Sequence, residues 1–256
     1  MSSVSALAER LRAGSPTLSA WCGIPEAAVA GLLAREAFDA VTLDMQHGAI
    51  DLAATLWAVP LIAAAGKPAV ARIPVGEFAT ASKLLDAGVS AVIAPMINTV
   101  EDARRFGAFM KYPPLGERSW GPHGALPLSG LQPDAYFRQA NGSTVSFAMV
   151  ETREALGILD EILAAPGVDG IFIGPADLSI ALSGGAGVDP LSDAVRQALD
   201  HALARVKAAG KLIGIYAHSG ERAAELLRQG FPFVAVGSDT ALLRAGAQAA
   251  LAAARG

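Results

Sequence analysis

With 256 residues, 52% of them hydrophobic and 17% charged, the chain has the size and composition of one large α/β domain and is too apolar for a disordered protein. A net charge of -4 with scattered basic residues leaves no footprint for a nucleic acid, and the single cysteine, Cys22, excludes an internal disulfide and a cysteine-rich zinc site. Gly, Pro or a charge interrupts every apolar run before the roughly 18 residues that a membrane span requires, so a small molecule is the expected partner and a membrane is not.

The first stretch, MSSVSALAERLRAG, carries Glu9 and two arginines and lacks an apolar core followed by a cleavage site. It does not read as a signal peptide, and a cytoplasmic protein is expected. From about residue 18 onward, short β-rich runs alternate with helical segments. In chain order the eight runs are LSAWCGI, AVTLDM, PAVARIP, SAVIAPM, VSFAMVE, DGIFIG, LIGIYA and FVAVGS. Most are apolar at nearly every position, as in strands covered on both faces. Segments such as PEAAVAGLLAREAF and EFATASKLLDAG, between the runs, place apolar residues at helical spacing and end in a turn.

Two internal echoes, AAGKPAVARI with AAGKLIGIYA and DAGVSAVIAP with APGVDGIFIG, each join a helix end to a strand through a glycine turn. Eight such units predict a (β/α)8 TIM barrel spanning residues 1–256 as a single domain. The competing architecture, an open doubly wound sheet, is expected to carry a glycine-rich fingerprint after its first strand, and WCGIPEA is not one. Residues 111–144, with five prolines and five glycines, form an irregular excursion too long for an ordinary connection. A role in function or subunit contact and a plain solvent-exposed excursion are both open for it.

Barrel chemistry sits at the C-terminal ends of the strands. The first predicted strand offers Trp21 there; the second ends in Asp44, Met45, Gln46 and His47, and the third in Arg72. The fifth carries Met149 and Glu151, the sixth runs into Gly174, Pro175, Ala176 and Asp177, and the seventh ends in Tyr216 ahead of His218. Glu151 and Asp177 lie on neighbouring strand ends and offer hard oxygen ligands suited to Mg²⁺ or Mn²⁺. The alternative is that each carboxylate only caps the helix that follows. His47 has the chemistry of a general base, or it is a hydrogen-bonded loop residue. Arg72 at a barrel mouth calls for an anion, or for a salt bridge to Asp44 or Glu151.

The five lysines restrict the mechanism. Lys67 and Lys211 precede strands, on the opposite face, and Lys83, Lys111 and Lys207 lie in or just after helices. No Schiff-base lysine is placed for catalysis, so carbanion stabilisation falls to a metal and Arg72.

The set LDMQH, ARIP, LLDAG, APMINT, YPPLGERS, MVETREAL and VDGIFIGPADLS, in this order, resembles the HpcH/HpaI aldolases, the family of 4-hydroxy-2-oxoheptanedioate aldolase. The resemblance implies a class II pyruvate aldolase on a phosphoenolpyruvate/pyruvate-type barrel, assembled as a hexamer, a trimer of dimers. It implies a divalent metal (Mg²⁺, Mn²⁺ or Co²⁺) and, as substrates, a 2-oxo acid and an aldehyde. By the same resemblance His47 is the proton acceptor, Arg72 stabilises the enolate, and Glu151 and Asp177 bind the metal. The backbone amides of Ala176 and Asp177, beside Gly174 and Pro175, hold the pyruvate carboxylate. Asp86, in LLDAG, matches an acid that raises the basicity of the histidine. The predicted topology puts it on the far face of its own barrel, so it reaches His47 only across a subunit interface or the correspondence fails there.

Three departures concern the aldehyde side. Met45, Gln46 and His47 stand where many relatives read G-E-H, Met149 replaces a substrate-contacting Gln, and Tyr216 is bulkier than an aliphatic residue. Trp21, Asp44, Gln46, Met149 and Tyr216 are thus candidate substrate contacts. A citryl- or malyl-CoA-type lyase of the same superfamily is the alternative, with Arg118 and Arg153 as candidates for the CoA phosphates. Further alternatives are a barrel that binds a 2-oxo acid without turning it over, and a phosphate-binding loop at GSDTALL.

Overall fold

The computed structural model describes residues 3–256, and in it eight parallel strands pair in chain order until the eighth returns to the first and closes a barrel. Helix α1 (Ser3–Arg12) precedes β1 (Thr17–Cys22), α2 (Ala27–Leu33), β2 (Ala40–Asp44), α3 (Leu52–Ala64), β3 (Ala69–Arg72), α4 (Phe78–Ala87), β4 (Ala91–Ala94) and α5 (Val100–Met110). Two short helices, α6 (Ala125–Ser129) and α7 (Pro133–Ser143), lead to β5 (Val145–Val150). Then follow α8 (Arg153–Gly157), α9 (Leu159–Ala164), β6 (Gly170–Ile173), α10 (Pro175–Leu182), α11 (Asp193–Ala208), β7 (Leu212–Ala217), α12 (Gly220–Gln229), β8 (Phe233–Val236) and α13 (Asp239–Arg255). The fold is the expected (β/α)8 barrel.

Each strand is four to six residues long, and every residue of β2 to β6 is buried. That burial explains their unbroken apolar character: one set of side chains fills the barrel and the other meets the helices. The lumen holds an aromatic stack, with Phe147 and Phe233 parallel at 5.5 Å and Phe172 edge-on to both. Gly214 makes room for it, since a Cβ there would lie 2.7 Å from the rings of Phe172 and Phe233. Leu7, Ala8 and Leu11 of α1 join the same cluster and close the barrel at the N-terminal ends of the strands.

The helices start and stop where the sequence provides side-chain acceptors and glycines. Thr99, Ser192, Ser219 and Ser238 each accept a backbone N–H from the first turn that follows, and α4 ends at Gly88 in a left-handed conformation (φ 105°).

Residues 111–144 are neither a bare excursion nor part of the mouth. Helices α6 and α7 pack against α1 at the closed end of the barrel. Lys111, 1% exposed, donates to the carbonyls of Asn141 and Thr144 (both 2.9 Å) and to Asp169 Oδ2 (2.6 Å), just ahead of β6. Tyr112, Trp120, Tyr136 and Phe137 form an aromatic cluster over this segment. No helix among the described residues is long and apolar enough to cross a membrane.

Candidate active site

A cavity of about 500 Å³ opens at the C-terminal ends of the strands. The parallel register sets Asp44 beside Arg72 at the last paired position of β2 and β3, and the two form a forked pair. Arg72 Nε donates to Asp44 Oδ1 and Nη2 to Oδ2, both at 2.8 Å. Trp21 Nε1 donates to Asp44 Oδ2 at 3.1 Å, and its ring lies 4.9 Å under the Arg72 guanidinium, with Tyr216 edge-on to it at 5.3 Å. Burial acts to raise the Asp44 pKa, but the hydrogen bonds and charge of Arg72, with donors from Trp21 and Gln46, outweigh it and hold the carboxyl below its ordinary range. The salt-bridge alternative for Arg72 is therefore realised with Asp44. Asp44 takes only Nε and Nη2, and Arg72 also lines the cavity.

Glu151 follows β5 and is 1% exposed. Its Oε1 accepts the Met96 N–H at 2.9 Å, while Oε2 is buried with no hydrogen-bond partner. Oε2 faces the Cα of Gly174, where any Cβ would strike it and also approach Met149 Cε at 2.6 Å. Burial, reinforced by the nearby Asp177 charge and opposed by the Met96 bond and Arg72, pushes the Glu151 carboxyl up to about 7. Asp177 is exposed in the first turn of α10 and lines the cavity. Neither carboxylate caps a helix: Thr152 caps α8 by accepting the Ala155 N–H, and α10 begins at Gly174 without a side-chain cap. Among the described residues no three His, Cys, Asp or Glu side chains form a closed metal cage. Two carboxylates, one with an unpartnered buried oxygen, fit a hard divalent cation that keeps several coordination positions open.

His47 lines the cavity from an exposed turn after β2, where Asp44 Oδ1 accepts the Gln46 N–H (3.1 Å) and, weakly, the His47 N–H (3.4 Å). Gly174, Pro175, Ala176, Trp21, Met149 and Tyr216 also line it. Gln46 does not; its side-chain oxygen is buried beside the turn without a partner, and His218 is likewise outside the lining. Asp86 is not brought to this cavity either. It ends α4, pairs with Arg118 Nη2 at 2.7 Å, and borders a separate groove with Leu56, Lys83 and His123.

The two arginines considered for CoA phosphates are otherwise engaged. Arg118 is 3% exposed and bound to Asp86, and Arg153 donates to the Leu182 carbonyl. Sequence reasoning missed Asp239, which is 2% exposed and lines the cavity from the start of α13. It accepts the N–H groups of Gly23 (2.9 Å), Ile24 (2.8 Å) and Thr240 (2.8 Å). Within GSDTALL the Thr240 amide is taken by Asp239 and the Ala241 amide by Ser238 Oγ. The only signal was an acidic residue behind the N-cap Ser238, a pattern that most helix starts share.

A sequence profile of the family described as HpcH/HpaI aldolase/citrate lyase matches residues 19–245. Hydroxypyruvate/pyruvate aldolase of Rhizorhabdus wittichii is 40% identical over 242 residues, covering 94% of this chain and 95% of that protein. The 4-hydroxy-2-oxo-heptane-1,7-dioate aldolase of Klebsiella pneumoniae subsp. pneumoniae is 36% identical over 244 residues, 95% of this chain and 91% of its own. Among solved structures, an HpcH/HpaI aldolase/citrate lyase family protein from Burkholderia cenocepacia J2315 superposes with a TM-score of 0.87 at 30% identity, covering 98% of this chain and all of that one (100%). Aldolase relatives over nearly the whole length make this protein a carbon–carbon lyase of the aldolase type, acting on small molecules, in a family that uses divalent metal ions. The profile match runs from the first barrel strand into the last helix on the same closed barrel, and the chain belongs to the HpcH/HpaI aldolase/citrate lyase family.

Proposed function

We propose that this protein cleaves and forms 4-hydroxy-2-oxo acids, releasing or joining pyruvate, or a related 2-oxo acid, and an aldehyde. Glu151 and Asp177 hold the divalent metal in this reading, with Mg²⁺, Mn²⁺ or Co²⁺ as the candidates. Glu151 Oε2 carries the assignment: a buried carboxylate oxygen without a partner, next to a second carboxylate, is costly until a cation meets it. When bound, the metal supplies Lewis-acid stabilisation of negative charge on the oxygen of the 2-oxo acid.

The protein side chains and backbone divide the remaining work. Ala176 and Asp177 line the cavity in the first turn of α10, and in this reading their backbone amides receive the substrate carboxylate. His47 accepts the proton of the C4 hydroxyl as the C3–C4 bond breaks. The electron pair of that bond enters the three-carbon fragment as an enolate, C4 departs as the aldehyde carbon, and the enolate takes up a proton at C3 to become pyruvate. Arg72, pre-oriented by Asp44 and Trp21, stabilises the enolate charge through Nη1. Asp86 joins in only as a residue of a second copy, so this reading includes a homo-oligomer, assembled as a hexamer.

Pyruvate release from a 4-hydroxy-2-oxo acid, followed with lactate dehydrogenase, tests the proposal. Activity abolished by EDTA and restored by Mn²⁺ or Mg²⁺ is the expected result; turnover indifferent to chelation would sink it.

A further inference from the structure

The aldehyde side of the cavity has a chemistry of its own. In a barrel whose strands run in order from β1 to β8, the exits of β8, β1 and β2 lie across the mouth from those of β5 and β6, where Glu151 and Asp177 stand. With the 2-oxo acid held on the β5–β6 side, the aldehyde faces Ile24, Pro25, Ala49, Ser238, Asp239 and Thr240. We propose that this side selects short, uncharged, hydroxyl-bearing aldehydes and discriminates against aldehydes that end in a carboxylate, an inference that rests on the aldolase function proposed above.

Three observations carry it. First, among the described residues lining the cavity, Arg72 is the only Lys or Arg, and Asp44 holds it in a forked pair on the far side of Trp21 from β8. Second, four backbone donors on this side that could receive an anion are already taken, the Ala241 amide by Ser238 and three by Asp239. Asp239 accepts the Gly23, Ile24 and Thr240 amides and sits in the first turn of α13, so its fixed negative charge answers the positive end of that helix. A carboxylate arriving there meets a like charge in a partly dry site.

Third, two hydroxyls are arranged to meet a neutral polar group. Ser238 Oγ accepts the Ala241 N–H and lies 2.9 Å from Thr240 Oγ1. With Ser238 donating to Thr240, the Thr240 hydroxyl keeps its own proton for the cavity, where it is exposed. Ile24, Pro25 and Ala49 bound the rest of this side with apolar surface, which suits a short carbon chain with a hydroxyl near its end.

The experiment is aldol addition by the Mn²⁺-loaded enzyme at saturating pyruvate, with kcat/KM measured for glyceraldehyde, butanal and succinic semialdehyde. Butanal and succinic semialdehyde share a four-carbon chain, so their ratio reports the terminal carboxylate; glyceraldehyde against butanal reports the two hydroxyls on a chain one carbon shorter. Glyceraldehyde is expected to exceed butanal, and butanal to exceed the semialdehyde by roughly tenfold or more. In Thr240→Arg, which adds a cation at an exposed position, the semialdehyde should gain roughly tenfold relative to butanal, with the KM for pyruvate unchanged. A semialdehyde preference in the native enzyme, or equal gains for both aldehydes in Thr240→Arg, overturns the selectivity while leaving the aldolase function standing. Addition to none of the three overturns both.

Discussion

Two buried charges at opposite ends of the barrel are treated in opposite ways. At the closed end, Lys111 has three acceptors within 2.9 Å: two carbonyls and the Asp169 carboxylate. At the open end, Glu151 is buried as deeply, yet one of its oxygens has no partner and its carboxyl is pushed up to about 7. Burial opposes the charge in both cases and lowers the Lys111 pKa even against the pull of Asp169. The chain therefore has the means to satisfy a buried ion, and it does so where the role is to hold α7, α5 and β6 together. At the open end the unpartnered Glu151 oxygen is left for the cation proposed above.

The largest effects come from breaking each charge in turn. Glu151→Gln keeps the shape and removes the proposed metal ligand, so kcat/KM should fall by roughly a thousandfold or more while the melting temperature holds or rises. Lys111→Met should do the reverse. It removes the counter-charge of Asp169, which keeps only its bonds from Ser146, takes the donor from the Asn141 and Thr144 carbonyls, and should cost about 3 kcal/mol of stability in urea unfolding, with kcat unchanged at a permissive temperature. If Glu151→Gln unfolded the protein and Lys111→Met did not, the contrast between the two ends would be wrong.

Gly174 and Asp44 give intermediate effects. A methyl at Gly174 would push against Glu151 Oε2 and Met149 Cε, so Gly174→Ala should weaken Mn²⁺ binding, read by calorimetry, and lower kcat/KM by roughly a hundredfold. Asp44→Asn leaves Arg72 buried without its counter-charge and should cost about 3 kcal/mol at neutral pH. The sign of the pH dependence follows from the depressed pKa. Asp44 stabilises the fold above the ordinary carboxylate range and loses that contribution as pH falls through its lowered folded value. The gap in stability between native protein and Asp44→Asn should therefore close on acidification, and a gap that widened would contradict the pairing.

The same two ends differ in how much of them could be read in advance. All eight strands were legible because each is a short apolar run, and all but β7, which runs into His218, are closed by Gly, Pro or a charge. The expected runs overshot at the exits, as in PAVARIP for Ala69–Arg72, because apolar residues continue beyond the last paired position. The neighbours on one strand pair, Asp44 and Arg72, were legible as possible partners. Gln46 was not, since the turn after β2 ends the alternation that places side chains, and it turns Gln46 away while leaving His47 at the cavity. Asp239 was invisible for a different reason. Its partners are backbone amides at the other end of the chain, Gly23 and Ile24, and no side-chain pattern encodes a backbone donor.

The smallest expected effect sharpens the assignment of Glu151. Helix α8 needs an acceptor for its first free N–H groups, and both Glu151 and Thr152 stand at its start. Thr152 Oγ1 takes the Ala155 N–H at 3.1 Å, while Glu151 turns its Oε1 to Met96. If capping belongs to Thr152 alone, Thr152→Ala should lower stability by about 1 kcal/mol, and Thr152→Ser should restore most of it. Both variants should leave Mn²⁺ affinity unchanged, because the Glu151 carboxylate is held from the β4 side by the Met96 amide and not through the cap. Loss of metal binding in Thr152→Ala together with rescue in Thr152→Ser would mean that cap and ligand are one device, and that the open end of the barrel tolerates less local change than its unsatisfied oxygen implies.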